Sequence, residues 1–160
     1  MPLRPRFGVN RDGTFKVRLP QEERDLLAAL PGQLRELLGA GDPAEDPSLR
    51  RLFPAAYTSD AERDAEYQRL MREDLVASRM RSAEVLERTA QATNLTEDEM
   101  LGWMGALNDL RLVLGTQLDV SEDMDDVDPD DPRAPRFAVY GYLGYLLELV
   151  LRALQGTVED

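Results

Sequence analysis

Apolar positions near the N-terminus alternate with polar ones and predict a β-hairpin over residues 7–19. The alternating residues are Phe7, Val9, Phe15, Val17 and Leu19. Between them, Asp12-Gly13 favours a hairpin turn because glycine readily adopts the positive φ that such turns need. A lone hairpin is marginal in water, so we expect it to pack on helices.

Helical periodicity dominates residues 20–118. After Pro20, a favourable first helical residue, one apolar face is predicted from Leu26, Leu27, Leu30, Leu34, Leu37 and Leu38. Pro31-Gly32 interrupts this pattern and predicts either a kink or two short helices. The prolines within residues 42–58 predict a linker, with a short helical turn over Ser48–Phe53.

Two capping boxes predict the next two helices. Ser59-Asp60-Ala61-Glu62 begins a helix that extends to about Ala92, with its apolar face predicted from Tyr67, Leu70, Met71, Leu75, Ser78, Val85 and Leu86. Thr96-Glu97-Asp98-Glu99 begins a second helix that extends to about Leu118. Because this second helix is apolar around most of its circumference, we expect it to be central and buried.

An acidic segment and a final helix complete the chain. Residues 119–136 read as a mobile loop, and Asp119–Asp131 carries eight acids and no base. The last helix spans 137–155, with a core face predicted from Tyr140, Leu143, Leu147, Val150, Leu151 and Leu154. The whole pattern predicts one mainly α domain over 1–160, a helical bundle with a small N-terminal β-hairpin packed on it.

Composition narrows the chemistry that this domain can perform. The 160 residues include no Cys and no His, which removes disulfides, thiolate metal sites, cysteine nucleophiles and the commonest general base. We therefore predict a non-enzymatic protein without catalytic residues, cofactor or metal. The net charge of -12 makes direct nucleic-acid binding unfavourable, because such binding neutralises phosphates with basic residues.

No signal peptide is visible, and the longest apolar stretch is Val139–Leu154. Gly141, Gly144, Glu148 and Arg152 interrupt it, so we expect it to be too short and too polar to span a membrane. The predicted location is the cytoplasm.

Two interpretations of the acidic segment stay open. Asp126, Asp128 and Asp130 alternate as calcium ligands do, but Asp131 and Phe137 stand where the EF-hand pattern needs glycine and an acid. The other interpretation is a solvated loop that contacts a basic partner. The acids predicted for this partner loop are Glu122, Asp123, Asp125, Asp126, Asp128, Asp130 and Asp131.

Polar residues inside the central apolar helix form a second candidate. Asn108, Asp109 and Arg111 interrupt it, and buried charges need partners. Either Asp109 or Arg111 pairs internally, with partners expected among Glu148, Asp74 and Arg79, or the residues form a patch that faces a partner or a ligand. Similarly, Tyr140, Tyr142 and Tyr145 cannot all face the core, so they either pack with their hydroxyls at its rim or form a partner or homodimer surface.

Three blocks carry a family resemblance: Arg51–Tyr57 followed by Asp60, Trp103–Gly115, and Tyr140–Gly144 with Glu148. With the hairpin, they resemble the actinobacterial domain-of-unknown-function family that includes the oxidative-stress regulator AosR. The resemblance covers nearly the whole chain, and Leu107–Arg111 is its most specific part. The partner or structural polar cluster predicted from these blocks comprises Arg51, Tyr57, Asp60, Asn108, Asp109, Arg111, Tyr140, Tyr142 and Glu148.

The resemblance implies a cytoplasmic regulator of transcription in the redox response that associates with a sigma factor or RNA polymerase. It also implies an alternative, an accessory role in Clp proteolysis, because many family members are encoded near the adaptor ClpS. The redox sensing attributed to the regulator needs a cysteine pair, and this chain has no cysteine. A thiol switch is therefore impossible here.

Overall fold

The computed structural model describes residues 4–40, 47–50, 52, 61–118 and 128–156. Within these residues the chain forms five helices and three short strands, which confirms a mainly α fold with an N-terminal hairpin. In chain order the elements are β1 Phe7–Val9, β2 Phe15–Val17, α1 Gln21–Ala40, α2 Pro47–Arg50, α3 Ala61–Thr89, β3 Asn94–Leu95, α4 Glu97–Gln117 and α5 Ala134–Gly156.

The hairpin forms as predicted, and a third strand that its pattern did not indicate extends it. β1 pairs antiparallel with β2, with Val9 opposite Phe15. Gly13 in the turn has a φ of 87°, a conformation that glycine adopts without steric cost. β3 pairs with the other edge of β2. Because Phe7, Phe15 and Val17 are buried, the sheet contributes directly to the core.

Helix α1 is continuous through Pro31, so the alternative of two short helices is wrong. Proline removes one backbone donor and crowds the preceding turn. The helix nevertheless continues because its apolar face is buried on both sides of Pro31, at Leu27, Leu34 and Leu38. Tertiary packing here outweighs a local cost of about 3 kcal/mol.

Helix α4 is central, as its all-round apolar pattern predicts, and packs against α1, α2, α3 and α5. Its N-terminus carries the predicted capping box between Thr96 and Glu99. Trp103 is fully buried and donates its indole N–H to the Thr89 hydroxyl at 2.7 Å. Its ring meets Phe7 edge to face, with 6.0 Å between the ring centroids, and so joins the helices to the sheet.

The apolar face predicted for α3 is buried over only part of its length, and the helix ends at Thr89, shortly before its predicted end at about Ala92. Leu86 is buried and Leu75 and Val85 are half-buried. The remaining members of the predicted face are exposed: Tyr67, Leu70, Met71 and Ser78. With 29 residues against 20 in α1 and 21 in α4, α3 extends past the helices that cover its second half.

Helix α5 begins at Ala134, three residues before its predicted start. Leu143, Leu146 and Val150 are buried, so the core face includes Leu146, which was not predicted, and excludes Leu151, which is exposed. By length and composition α5 could cross a membrane. In its most apolar stretch of 18 residues, 22% is buried inside the protein. The expectation that this stretch is too short and too polar is therefore wrong, although core helices of soluble proteins pass the same test.

A buried arginine connects the sheet to two helices. Arg24 on α1 is 8% exposed and donates hydrogen bonds to the carbonyls of Val17, Leu19, Ala90 and Ala92, at distances between 2.7 and 3.2 Å. Buried charged groups are costly unless they are hydrogen-bonded. These four carbonyls, from β2, the connection before α1 and the segment after α3, supply the hydrogen bonds that Arg24 needs.

Candidate functional site

Asp109 forms an internal ion pair with Arg79, one of the three partners proposed for this region. Asp109 is 1% exposed, and its carboxylate contacts the Arg79 guanidinium from α3. Arg79 also donates to the carbonyl of Leu52 at 2.9 Å. Burial raises the pKa of Asp109 to about 6, although the charge of Arg79 acts in the opposite direction. The pair joins α3, α4 and the segment around Leu52, which favours its structural interpretation.

Among the described residues, no acid from another helix pairs with Arg111. Its guanidinium donates to the Asn108 side chain at 3.3 Å on the same helix, and its buried Nε has no hydrogen-bond partner. Glu148 instead accepts from Arg152, one turn along α5, at 2.7 Å, and Asp74 is exposed. Among the described residues, Asn108 and Arg111 thus form a local pair at the α4 surface, separate from Asp109 and Arg79.

The three tyrosines occupy different environments. Tyr140 is half-buried and its ring covers Gly115, where an added Cβ would lie 2.9 Å from the tyrosine Cε2. Tyr145 is 48% exposed and lies beside Arg6, whose guanidinium carbon is 5.5 Å from the ring centroid. Tyr142 has a buried hydroxyl. The three side chains therefore differ in burial, and Tyr145 is the most exposed of them.

Arg6 organises a polar cluster that sequence reasoning missed. It binds the Glu23 carboxylate through two hydrogen bonds of 3.2 and 3.1 Å and donates to the Tyr145 hydroxyl at 3.3 Å. Burial raises the pKa of Tyr142, and the nearby Glu23 carboxylate adds to the effect. The cluster joins the N-terminal segment, α1 and α5 across separations of 17 and 139 residues, which no local pattern signals.

Several predicted site residues lie outside the described residues: Arg51, Tyr57, Asp60, Glu122, Asp123, Asp125 and Asp126. Of the partner loop, Asp128, Asp130 and Asp131 are described. The Asp131 carboxylate accepts hydrogen bonds from Arg133, and these lower the pKa of Asp131. No group of three or more potential metal-ligating side chains occurs among the described residues.

A partly enclosed apolar cavity of about 300 Å³ lies between α1, α4 and α5. Its walls are mainly Leu and Val side chains, including Leu37, Leu114 and Val139, and its polar lining consists of Gln33, Gln117 and Arg136. Arg136 donates to the Gln117 side chain at 2.7 Å. No single helix forms this cavity, so the sequence pattern gave no sign of it.

The first half of α3 presents an uncovered apolar face. Tyr67, Leu70 and Met71 are 53%, 56% and 38% exposed. Their i, i+3, i+4 spacing places them together on one side of the helix. Every other described side chain from 66 to 74 is also exposed. The elements that the structure describes therefore leave this part of α3 uncovered.

Comparison with known proteins gives one family. The family described as Domain of unknown function (DUF2017) matches residues 4–154, nearly the whole chain. No curated protein and no solved structure matches.

Proposed function

The chain belongs to the family described as Domain of unknown function (DUF2017), and we propose that it is a non-enzymatic regulator that acts by protein–protein contact. One observation carries this proposal: Tyr67, Leu70 and Met71 form an exposed apolar face on α3. Apolar anchors at this spacing are a common means of helix-mediated recognition.

The physical state of α3 supports the docking role. A solvent-exposed helical segment gains little stability from its own hydrogen bonds, because most helical stability in proteins comes from tertiary packing of an apolar face. Binding a partner would remove Leu70 and Met71 from water and stabilise this segment. Full burial of each such side chain contributes about 1.5–3 kcal/mol.

Charge defines the class of partner. The chain has a net charge of -12, and Asp119–Asp131 contributes eight acids without a base. Opposite electrostatic fields accelerate association and suppress partners of like charge. The partner in this proposal is therefore a protein with a basic surface beside an apolar groove.

The resemblance to the family that includes AosR supplies the finer proposal. It makes the partner a sigma factor or RNA polymerase, the origin actinobacterial, the location the cytoplasm and the process the oxidative-stress response. The absence of cysteine means that a thiol-based response to oxidants would arise in the partner or upstream of this chain. An accessory role in Clp proteolysis is the alternative outcome.

The test compares two leucine variants in binding to purified partners. Leu70→Gln removes an anchor from the α3 face, and Leu151→Gln removes another exposed leucine, on α5. Binding to sigma factors, core RNA polymerase and Clp components of the source organism is measured by biolayer interferometry. We expect Leu70→Gln to weaken sigma-factor binding about tenfold or more and Leu151→Gln to leave it unchanged.

Three outcomes would revise this proposal. Binding to Clp components alone would favour the proteolytic role, and equal losses in both variants would remove the α3 face as the docking surface. Replacing Asp128, Asp130 and Asp131 by Asn tests steering separately. Association should slow and its salt dependence should flatten, whereas unchanged rates would refute the electrostatic part.

A further inference from the structure

We propose that the cavity between α1, α4 and α5 binds an unbranched medium-chain carboxylate. Its apolar walls would surround the alkyl tail, and Arg136 at its edge would bind the carboxylate. Small-molecule sites combine an apolar cavity with a few convergent polar groups. This cavity has that composition, and the proposal does not depend on the proposed protein partner.

The volume sets the length of the ligand. A cavity of about 300 Å³ lies at the lower end of the range of small-molecule pockets, about 300–1,000 Å³, which suits a single medium-length alkyl chain. Decanoate matches this size, with nine carbons in the tail and the carboxylate at the edge. Leu37, Leu114 and Val139, from three different helices, offer the tail apolar contact on several sides.

Arg136 supplies the means of recognising the head group. Its guanidinium has five N–H donors in a planar arrangement that suits carboxylates, and Gln117 accepts one hydrogen bond from it, at 2.7 Å. Among the described residues, no carboxylate forms an ion pair with Arg136. The amides of Gln33 and Gln117 line the same cavity and can donate further hydrogen bonds to a carboxylate.

The net negative charge of the chain disfavours an anionic ligand, so the preference for an anion depends on the charges close to the cavity. Among the described residues, Arg136 is the one charged residue that lines the cavity. Of the nearby described acids, Asp131 is paired with Arg133. At physiological salt, more distant exposed charges are screened beyond about 8 Å. Direct contact with Arg136 therefore favours an anion over a cation.

Calorimetric titration at pH 7 with three ten-carbon probes tests the head-group preference. The probes are decanoate, 1-decanol and decylammonium, which differ in charge and share the tail. We expect decanoate to bind about tenfold more tightly than decanol and decylammonium to bind most weakly. Tighter binding of decylammonium, equal binding of all three probes or no binding of decanoate would each overturn the proposal.

Variants locate the site. Arg136→Gln should weaken decanoate binding about tenfold and leave decanol binding unchanged, whereas Arg152→Gln removes the same charge near the other end of α5 and should affect neither. Val139→Phe should fill the cavity and abolish binding of both probes. Circular dichroism and thermal unfolding check that each variant folds. Decanoate binding that survives Val139→Phe in a folded protein would place the ligand elsewhere and refute the site.

Discussion

Replacing Asp109 by asparagine should remove a pH-dependent component of stability. Asp109 is 1% exposed, and burial raises its pKa from 3.8 to about 6 while Arg79 acts in the opposite direction. The folded state therefore binds this proton more tightly than the unfolded state. By linkage, the contribution of Asp109 to stability is fully present below about pH 4 and is lost as the pH rises through about 6.

The size of the effect follows from the two pKa values. The difference between 3.8 and about 6, at about 1.4 kcal/mol for each tenfold change in proton affinity, amounts to about 3 kcal/mol. Ionisation of Asp109 should thus lower the free energy of unfolding by about 3 kcal/mol at neutral pH. Of this, about 1 kcal/mol should return when the pH falls from 7 to 5.

Urea unfolding of both proteins at pH 7, 6 and 5 measures this component. Asparagine cannot ionise, and the other carboxylates contribute similarly to both proteins. As the pH falls from 7 to 5, the free energy of unfolding of the wild type should therefore rise by about 1 kcal/mol relative to that of Asp109→Asn. Arg79→Gln provides a second check. Without the neighbouring cation the pKa of Asp109 should rise further, and the pH-dependent component should move to higher pH.

The competing expectation is that pairing outweighs burial. Removing one partner of a buried ion pair commonly costs about 3–5 kcal/mol, because the other charge remains without compensation. A loss of that size in Asp109→Asn at pH 7 would refute the reasoning if the difference in free energy of unfolding between the wild type and this variant also stayed constant or shrank toward pH 5. It would show that Asp109 is stabilised in its charged form by Arg79.

Three further substitutions test close packing in the helices by urea unfolding. Gly102→Ala should destabilise the protein by about 1–2 kcal/mol, because the added Cβ would lie 2.8 Å from Val85 Cγ1. In Gly141→Ala the added Cβ meets nothing within 4 Å, so this substitution should stabilise the protein by up to about 1 kcal/mol. Stability changes in the same direction for Gly102→Ala and Gly141→Ala would contradict this account. Thr89→Val should cost about 1–3 kcal/mol, because the buried Trp103 indole N–H loses its acceptor; unchanged stability would show that another group replaces it.

Features that depend on a few consecutive residues could be predicted from the sequence. The turn at Asp12-Gly13 and the capping box from Thr96 to Glu99 each involve groups within four positions of one another. The all-round apolar pattern of α4 likewise predicted its central place, because such a helix must be covered on several sides. The short strand β3 has no comparable signal, since it forms only where β2 offers a free edge.

Periodicity shows which residues share a face but not what covers that face. Tyr67, Leu70 and Met71 were correctly placed on one side of α3, yet they are exposed, because α3 is longer than α1 and α4. At Pro31, the predicted alternative of two short helices was wrong. A local helix breaker stands within a continuous helix because distant elements pack on both sides of it.

The candidate site depended still more on tertiary contacts. Local polarity marked Asp109 as a residue in need of a partner, and Arg79 was one of three possibilities. The cluster of Arg6, Glu23 and Tyr145 and the bonds from Arg24 to four carbonyls had no sequence signal, because they join residues far apart in the chain.

The sequence by itself determined a mainly α fold, the positions of the hairpin and of the central helix, and an acidic chain without thiol or imidazole chemistry. These follow from residue identity and from interactions between near neighbours. Only the tertiary structure decided which apolar face stays uncovered, which charges pair and where a cavity opens between three helices. Each of these is a property of surfaces that meet only when the chain is folded.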